Sequence, residues 1–198
     1  MSAAPVIIAS GGANLASLRF ALTRLGFDAP VTESAEVVRA ASHVILPGVG
    51  AARDAMQRLA AADLVDVIPQ LEQPVLGICL GMQLLFSGSE EDDATCLGII
   101  DGLAARFAGG PALPVPQMGW NQLSPSKPSA LLAGIEDGDY AYFIHSYAVP
   151  VGAYTRATTD YGRPFSSVVE SENFFGTQFH PERSAKVGSR VLANFLAL

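Results

Sequence analysis

Apolar residues fall along this chain in two rhythms, and the rhythms alternate. Val6-Ile7-Ile8-Ala9 is an unbroken apolar run that reads as a buried strand, closed by Ser10-Gly11-Gly12. From Asn14-Leu15 onward the spacing turns helical: Leu15, Leu18, Leu22 and Leu25 share a face, and Gly26 follows as a C-terminal cap. Pro30-Val31-Thr32 predicts a weak second strand, and Ala35 to Ala41 a short helix. Val44-Ile45-Leu46 predicts a third strand, ending at Pro47-Gly48-Val49-Gly50. A long helix is expected over Ala51 to Leu71, broken near Pro69, before a fourth strand at Val75-Leu76-Gly77-Ile78. Strands apolar on both faces and separated by helices predict a parallel sheet covered on both sides. Ligands of such sheets bind beyond the carboxyl ends of the strands. Gly48 to Gly50 and Cys79 both stand at such ends.

Beyond about residue 86 the texture changes. Glu90-Glu91-Asp92-Asp93 reads as an exposed acidic loop, and Pro111 to Pro128 is rich in proline. Tyr140 to Val149, Ala153 to Thr159, Ser166 to Glu170 and Asn173 to Phe179 predict strands with antiparallel pairings. Ser189 to Leu198 closes the chain as an amphipathic helix. There is no repeat and no long linker. The expected architecture is one α/β domain over residues 1–198: an open, mostly parallel sheet with helices on both faces, and additional antiparallel strands in the C-terminal third.

Composition narrows the function classes. With 198 residues, 49% apolar and 16% charged, the chain suits a single well-filled core rather than disorder. A net charge of -7 with singly scattered Lys and Arg argues against a nucleic-acid surface. Two cysteines make no disulfide framework, and no stretch approaches the roughly 20 apolar residues of a membrane span. The opening Met1-Ser2-Ala3-Ala4-Pro5 lacks the basic start of a secretory leader. A reducing cytoplasm is the expected setting, and it keeps a thiol available.

The candidate chemistry is nucleophilic. Gly77-Ile78-Cys79-Leu80-Gly81 carries an apolar strand through a cysteine into a helix, with glycines two residues to either side. That is the spacing of a nucleophile elbow, which lifts the side chain off the sheet and sets it at a helix N-terminus. Gln178-Phe179-His180-Pro181-Glu182 supplies a base and a carboxylate; two residues of extended chain would put His180 and Glu182 on one side. Cys79, His180 and Glu182 thus outline a nucleophilic triad. Val49, between two glycines, and Leu80 are the candidate oxyanion donors, through their backbone N–H groups. His43 reads as a packing or surface residue, Cys96 as structural, and His145 as a group that lines the site without a partner to orient it. Ser10-Gly11-Gly12-Ala13-Asn14 lacks the spacing of a dinucleotide fingerprint, and the three histidines without a C-x-x-C make a metal site improbable. No metal or cofactor is expected.

Set side by side, these residues resemble the class I (triad) glutamine amidotransferases over nearly the whole chain. Gly77 to Gln83 and His180 to Glu182 carry the resemblance. Asn14 to Ser17, Pro47 to Gly50, Pro116 to Asn121 and Tyr142 to Tyr147 are most similar to the glutaminase subunits of imidazole glycerol phosphate synthase. Gln117 stands where that subfamily usually has histidine, and Arg183 where it usually has lysine. The resemblance implies that Cys79 attacks the glutamine carboxamide, His180 moves protons and Glu182 holds His180. It implies that Gln83, Gly48 and Gly50 bind the substrate. It also implies a partner, the HisF-type synthase subunit, which receives ammonia in histidine biosynthesis. Trp120, Tyr142 and Arg183 would lie at that interface, and glutaminase activity would be low without it. Other readings stay open: a glutaminase for another synthase, a non-catalytic binding domain, or a cysteine hydrolase on a similar sheet.

Overall fold

The computed structural model describes residues 4–10 and 15–198, so the turn at Ser10-Gly11-Gly12 and the helix start at Asn14 lie outside the described residues beyond Ser10. The first half alternates as its pattern requires. β1 (Val6–Ile8), α1 (Leu15–Arg24), β2 (Val31–Thr32), α2 (Ala35–Ala40) and β3 (Val44–Gly48) come first. α3 (Ala52–Ala61), β4 (Val75–Cys79) and α4 (Leu80–Leu84) follow. The second half is strand-rich: β5 (Phe86–Ser89), β6 (Ala94–Thr95), β7 (Ile100–Arg106), β8 (Gln117–Gln122) and β9 (Ser124–Pro125). Then come β10 (Tyr140–His145), β11 (Tyr147–Ala148), β12 (Thr155–Asp160), β13 (Pro164–Ser171), β14 (Phe174–Thr177) and α5 (Ala185–Phe195).

Eight strands form the main sheet in the order β2-β1-β3-β4-β14-β13-β12-β9. The first five run parallel and the last three pair antiparallel. β8 and β10 make a separate two-stranded ribbon, and β11-β7-β5-β6 a small third sheet. Strand alternation divides the core between the two faces of the main sheet. Val6, Ile8, Val44 and Leu46 pack with Val38 of α2 and Leu59 of α3. Ile7, Ile45, Leu76 and Ile78 pack the other way, with Leu18 and Leu22 of α1 and Val191, Leu192 and Phe195 of α5. Each such fully buried side chain contributes about 2 kcal/mol, which is why β1, β3 and β4 have no polar face.

Four expectations change. The helix expected to Leu71 stops at Ala61, because Asp63 turns left-handed (φ 55°). Asp63 N–H then bonds Ala60 at 3.1 Å and Leu64 N–H bonds Leu59 at 2.9 Å, the two closing bonds of a Schellman motif. Only a single 3-10 turn, Ile68–Gln70, follows before β4. The last helix begins at Ala185 rather than Ser189. The proline-rich segment contains β8, so Trp120 sits on a strand and not in a loop. The acidic run contains a 3-10 turn, Glu91–Asp93, whose first residue is half-buried.

Candidate active site

Cys79 ends β4 and immediately precedes α4. Its backbone lies at φ 54°, ψ −111°, a region that a residue with a Cβ occupies only under strain of about 1–3 kcal/mol. Close packing holds it there. A Cβ on Gly81 would collide with the Leu46 carbonyl oxygen of β3, and one on Gly77 would lie 2.6 Å from the Gly81 carbonyl oxygen. Hydrogen alone fits at both places, so the turn cannot relax into an ordinary strand end. α4 is only five residues long, so its dipole is a smaller aid to a thiolate than the sequence suggests.

His180 reaches the same point from the far side, at the end of the chain segment that follows β14. Its Nδ1–H donates to Glu182 Oε1 at 2.8 Å, with both side chains less than a tenth exposed. The pairing comes from a 3-10 turn at Pro181–Arg183 and not from extended chain. Nε2 has no hydrogen-bond partner among the described residues. Burial works to depress the ring's pKa, but the nearby Cys79 sulfur and the hydrogen-bonded Glu182 carboxylate prevail and raise it to about 10. The arrangement therefore holds the His180 ring in its protonated form. The backbone fixes the ring's position: His180 N–H donates to the Tyr142 carbonyl (3.0 Å), Tyr142 N–H to Ser184 Oγ (2.9 Å), and the Ser184 hydroxyl to the His180 carbonyl (2.7 Å).

A cavity of about 280 Å³ opens over the sulfur. Val49, Gly50, Cys79, Leu80, Gln83 and His180 line it, together with Glu91, Pro116 and the run Ile144 to Tyr147. Gly48 stands one step back, on a smaller void shared with Val49, His180 and Glu182. The expected oxyanion and substrate residues thus converge on one space, Gly48 from behind it. His145 lines the cavity and does have an orienting partner: its Nδ1 lies 2.7 Å from the Tyr147 carbonyl and donates to it. Burial lowers its pKa to about 4; the bond to Tyr147 opposes this and the charge of His180 adds to it. His145 therefore stays neutral beside a charged His180.

Two residues at the site had no role in the sequence reading. Gln178 is fully buried, with Nε2 3.8 Å from Cys79 Sγ. It stands two residues before His180, and strand alternation was the available signal. Glu91 borders the cavity while its carboxylate accepts the Ala52 N–H at 2.9 Å, at the start of α3. Burial raises its pKa, the bond to Ala52 counters, and Asp92 and Asp54 add to the rise. Nothing distinguishes it from its acidic neighbours in the letters. Cys96 is buried, and burial and Glu91 push its thiol up to about 11, in keeping with an inert packing residue.

Trp120, Tyr142 and Arg183 meet on the surface. The Trp120 and Tyr142 rings are 5.9 Å apart at 77°, and the Arg183 guanidinium lies 4.4 Å over the Tyr142 ring. Trp120 is 51% and neighbouring Met118 62% exposed, a large apolar area for one strand.

Residues 11–198 match the family model described as glutamine amidotransferase class-I. The chain belongs to that family. This amidotransferase is 52% identical over 192 residues to imidazole glycerol phosphate synthase subunit HisH of Xanthomonas campestris pv. campestris (strain 8004), covering 97% of this chain and 96% of the relative. It is 47% identical over 199 residues to the HisH subunit from Vibrio parahaemolyticus, covering 98% and 97%. Among solved structures, one described as a glutamine amidotransferase matches at TM-score 0.75 and 19% identity, over 98% of this chain and 97% of that one. A glutamine amidotransferase from Thermotoga maritima matches at TM-score 0.70 and 14% identity, over 99% and 97%. These two likenesses show the amidotransferase fold. Among the described residues, no helix is long and apolar enough to cross a membrane.

Proposed function

We propose that the chain, as one amidotransferase domain, is the glutaminase subunit of an imidazole glycerol phosphate synthase, working in the cytoplasm. The observation that carries the chemistry is His180, joined to Glu182 at 2.8 Å through Nδ1 and sharing the wall of one cavity with Cys79. Identity of about half along nearly the full length of the HisH relatives supports the pathway.

Glutamine enters the cavity with its carboxamide over Cys79. The thiolate attacks the carboxamide carbon, and the oxyanion forms against the Val49 and Leu80 N–H groups. The His180 imidazolium gives its proton to the nitrogen as the C–N bond breaks, so ammonia leaves and a glutamyl thioester remains. Water then attacks the thioester carbon, His180 takes the water's proton, and glutamate departs as the thiolate re-forms. Substrate, water and these side chains supply every proton and electron pair. Gln83 and Gly50 hold the substrate, with Gly48 supporting the loop from behind. Glu91, the one carboxylate on the cavity wall among the described residues, takes the substrate's α-ammonium. Ammonia passes to a HisF-type synthase subunit seated on Trp120, Tyr142 and Arg183.

The test is glutamate release from glutamine by the chain alone, by its complex with a nucleotide-bound HisF-type subunit, and by that complex carrying Cys79→Ala. Strong stimulation by the partner, lost in Cys79→Ala, is expected. Turnover indifferent to the partner would move the chain to another synthase; turnover that survives Cys79→Ala would overturn the triad.

A further inference from the structure

The carbonyl oxygen of Tyr147 can only accept hydrogen bonds, and that fact sets the direction of a buried chain of side chains. Gln83 Nε2 donates to it at 2.9 Å. The same Nε2 lies 3.0 Å from Gln178 Oε1 and donates there too. Gln178 therefore presents its oxygen to Gln83 and its Nε2 to the Cys79 sulfur, 3.8 Å away. Its amide cannot flip without setting two nitrogens face to face in a place where neither finds water, since Gln178 is fully buried and Gln83 nearly so. His145, donating to the same Tyr147 carbonyl at 2.7 Å, occupies the oxygen's other lone pair.

The sulfur has two polar neighbours of this kind besides the histidine. As a thiol it donates to the Ile144 carbonyl at 3.7 Å. As a thiolate it has no proton to give, and that carbonyl turns from partner to opponent. Gln178 offers the reverse: an N–H that serves the thiolate better than the thiol. We infer that Gln178 is a positioning residue for the amidotransferase reaction, its amide held by Gln83 and Tyr147 so that one N–H stabilises and aims the Cys79 thiolate. This rests on the reading of Cys79 as the nucleophile. The titratable groups around the sulfur are His180 with its partner Glu182, His145 on β10, and Glu91, also on the cavity wall. Gln178 is uncharged, so its effect on the sulfur is separable from theirs.

The experiment follows alkylation of Cys79 by iodoacetamide against pH in the full chain, located by peptide mass. Cys96, buried and hydrogen-bonded to none of these side chains, serves as an internal reporter of unfolding. Gln178→Met keeps the volume and removes the donor. The pH midpoint of Cys79 alkylation should rise by about one unit, and kcat in the complex with the synthase partner should fall about tenfold or more with KM changed far less. Gln83→Leu, which frees the Gln178 amide to turn, should move the midpoint the same way by a smaller amount. If Gln178→Met exposes Cys96 to labelling, Gln178→Asn withdraws the amide without changing its chemistry and should show the same rise. A midpoint unmoved in the folded variants, whatever the loss of stability, overturns the proposal. Loss of the triad reading shows differently, as glutamate release that persists in Cys79→Ala.

Discussion

His180 and His145 carry opposite perturbations within one site, and the pH dependence of folding follows from both. His180 is raised from 6.5 to about 10, so it favours the folded protein fully below pH 6.5 and loses that contribution as pH climbs through about 10. His145 is lowered from 6.5 to about 4, so its contribution is full above pH 6.5 and is lost as pH falls through about 4. Their sum peaks near pH 6.5 and declines on both sides. Urea midpoints measured from about pH 4 to 10 should trace that peak, and His145→Phe should flatten its acid side. A steady rise or fall across the range would show that these two residues do not govern it. The same pair explains a division of labour. His180 is the charged ring; His145 stays neutral and donates to the Tyr147 carbonyl.

At the scale of elements, the join between β3, β4 and α4 is the least forgiving part of the chain. Gly81→Ala drives a methyl group into the Leu46 carbonyl and should cost about 3 kcal/mol in urea unfolding. Gly110→Ala, with nothing within 4 Å of the added carbon, should change stability by less than about 0.5 kcal/mol. Similar losses in the two variants would refute the steric account. Legibility in the sequence follows the same physics. β1, β3 and β4 were readable because strands buried on both faces must be apolar throughout. β8 was not, because its alternation is inverted: Gln117 is buried while Met118 and Trp120 face outward, so the run resembles a loop. β7 shows a similar weakness, with Asp101 and Arg106 exposed and glycine at 102. The end of α3 was hidden because aspartate takes the left-handed place where glycine would have announced a stop. At the site, Cys79, His180 and Glu182 stood out through local spacing. Gln178 and Glu91 did not, since their neighbours Cys79 and Ala52 lie 99 and 39 positions away.

For the whole molecule, the outward residues of β8 matter more than the core it covers. Trp120 is half exposed and leans on Tyr142, so Trp120→Ala should leave thermal unfolding within about 2 °C of the parent. Affinity for the HisF-type subunit should drop by about tenfold or more, read by titration calorimetry. Unchanged affinity would place the partner elsewhere on the surface.

The three bonds among His180, Tyr142 and Ser184 make a closed loop in which no member moves alone. Its outer edge is the backbone of Tyr142, whose ring cushions Trp120 and Arg183; its inner edge is His180, on the cavity wall with Cys79. No flexible loop lies between them to absorb a displacement. Mechanically, the outer aromatic face and the His180 backbone hang from one short set of bonds, so a load on the first is borne by the second.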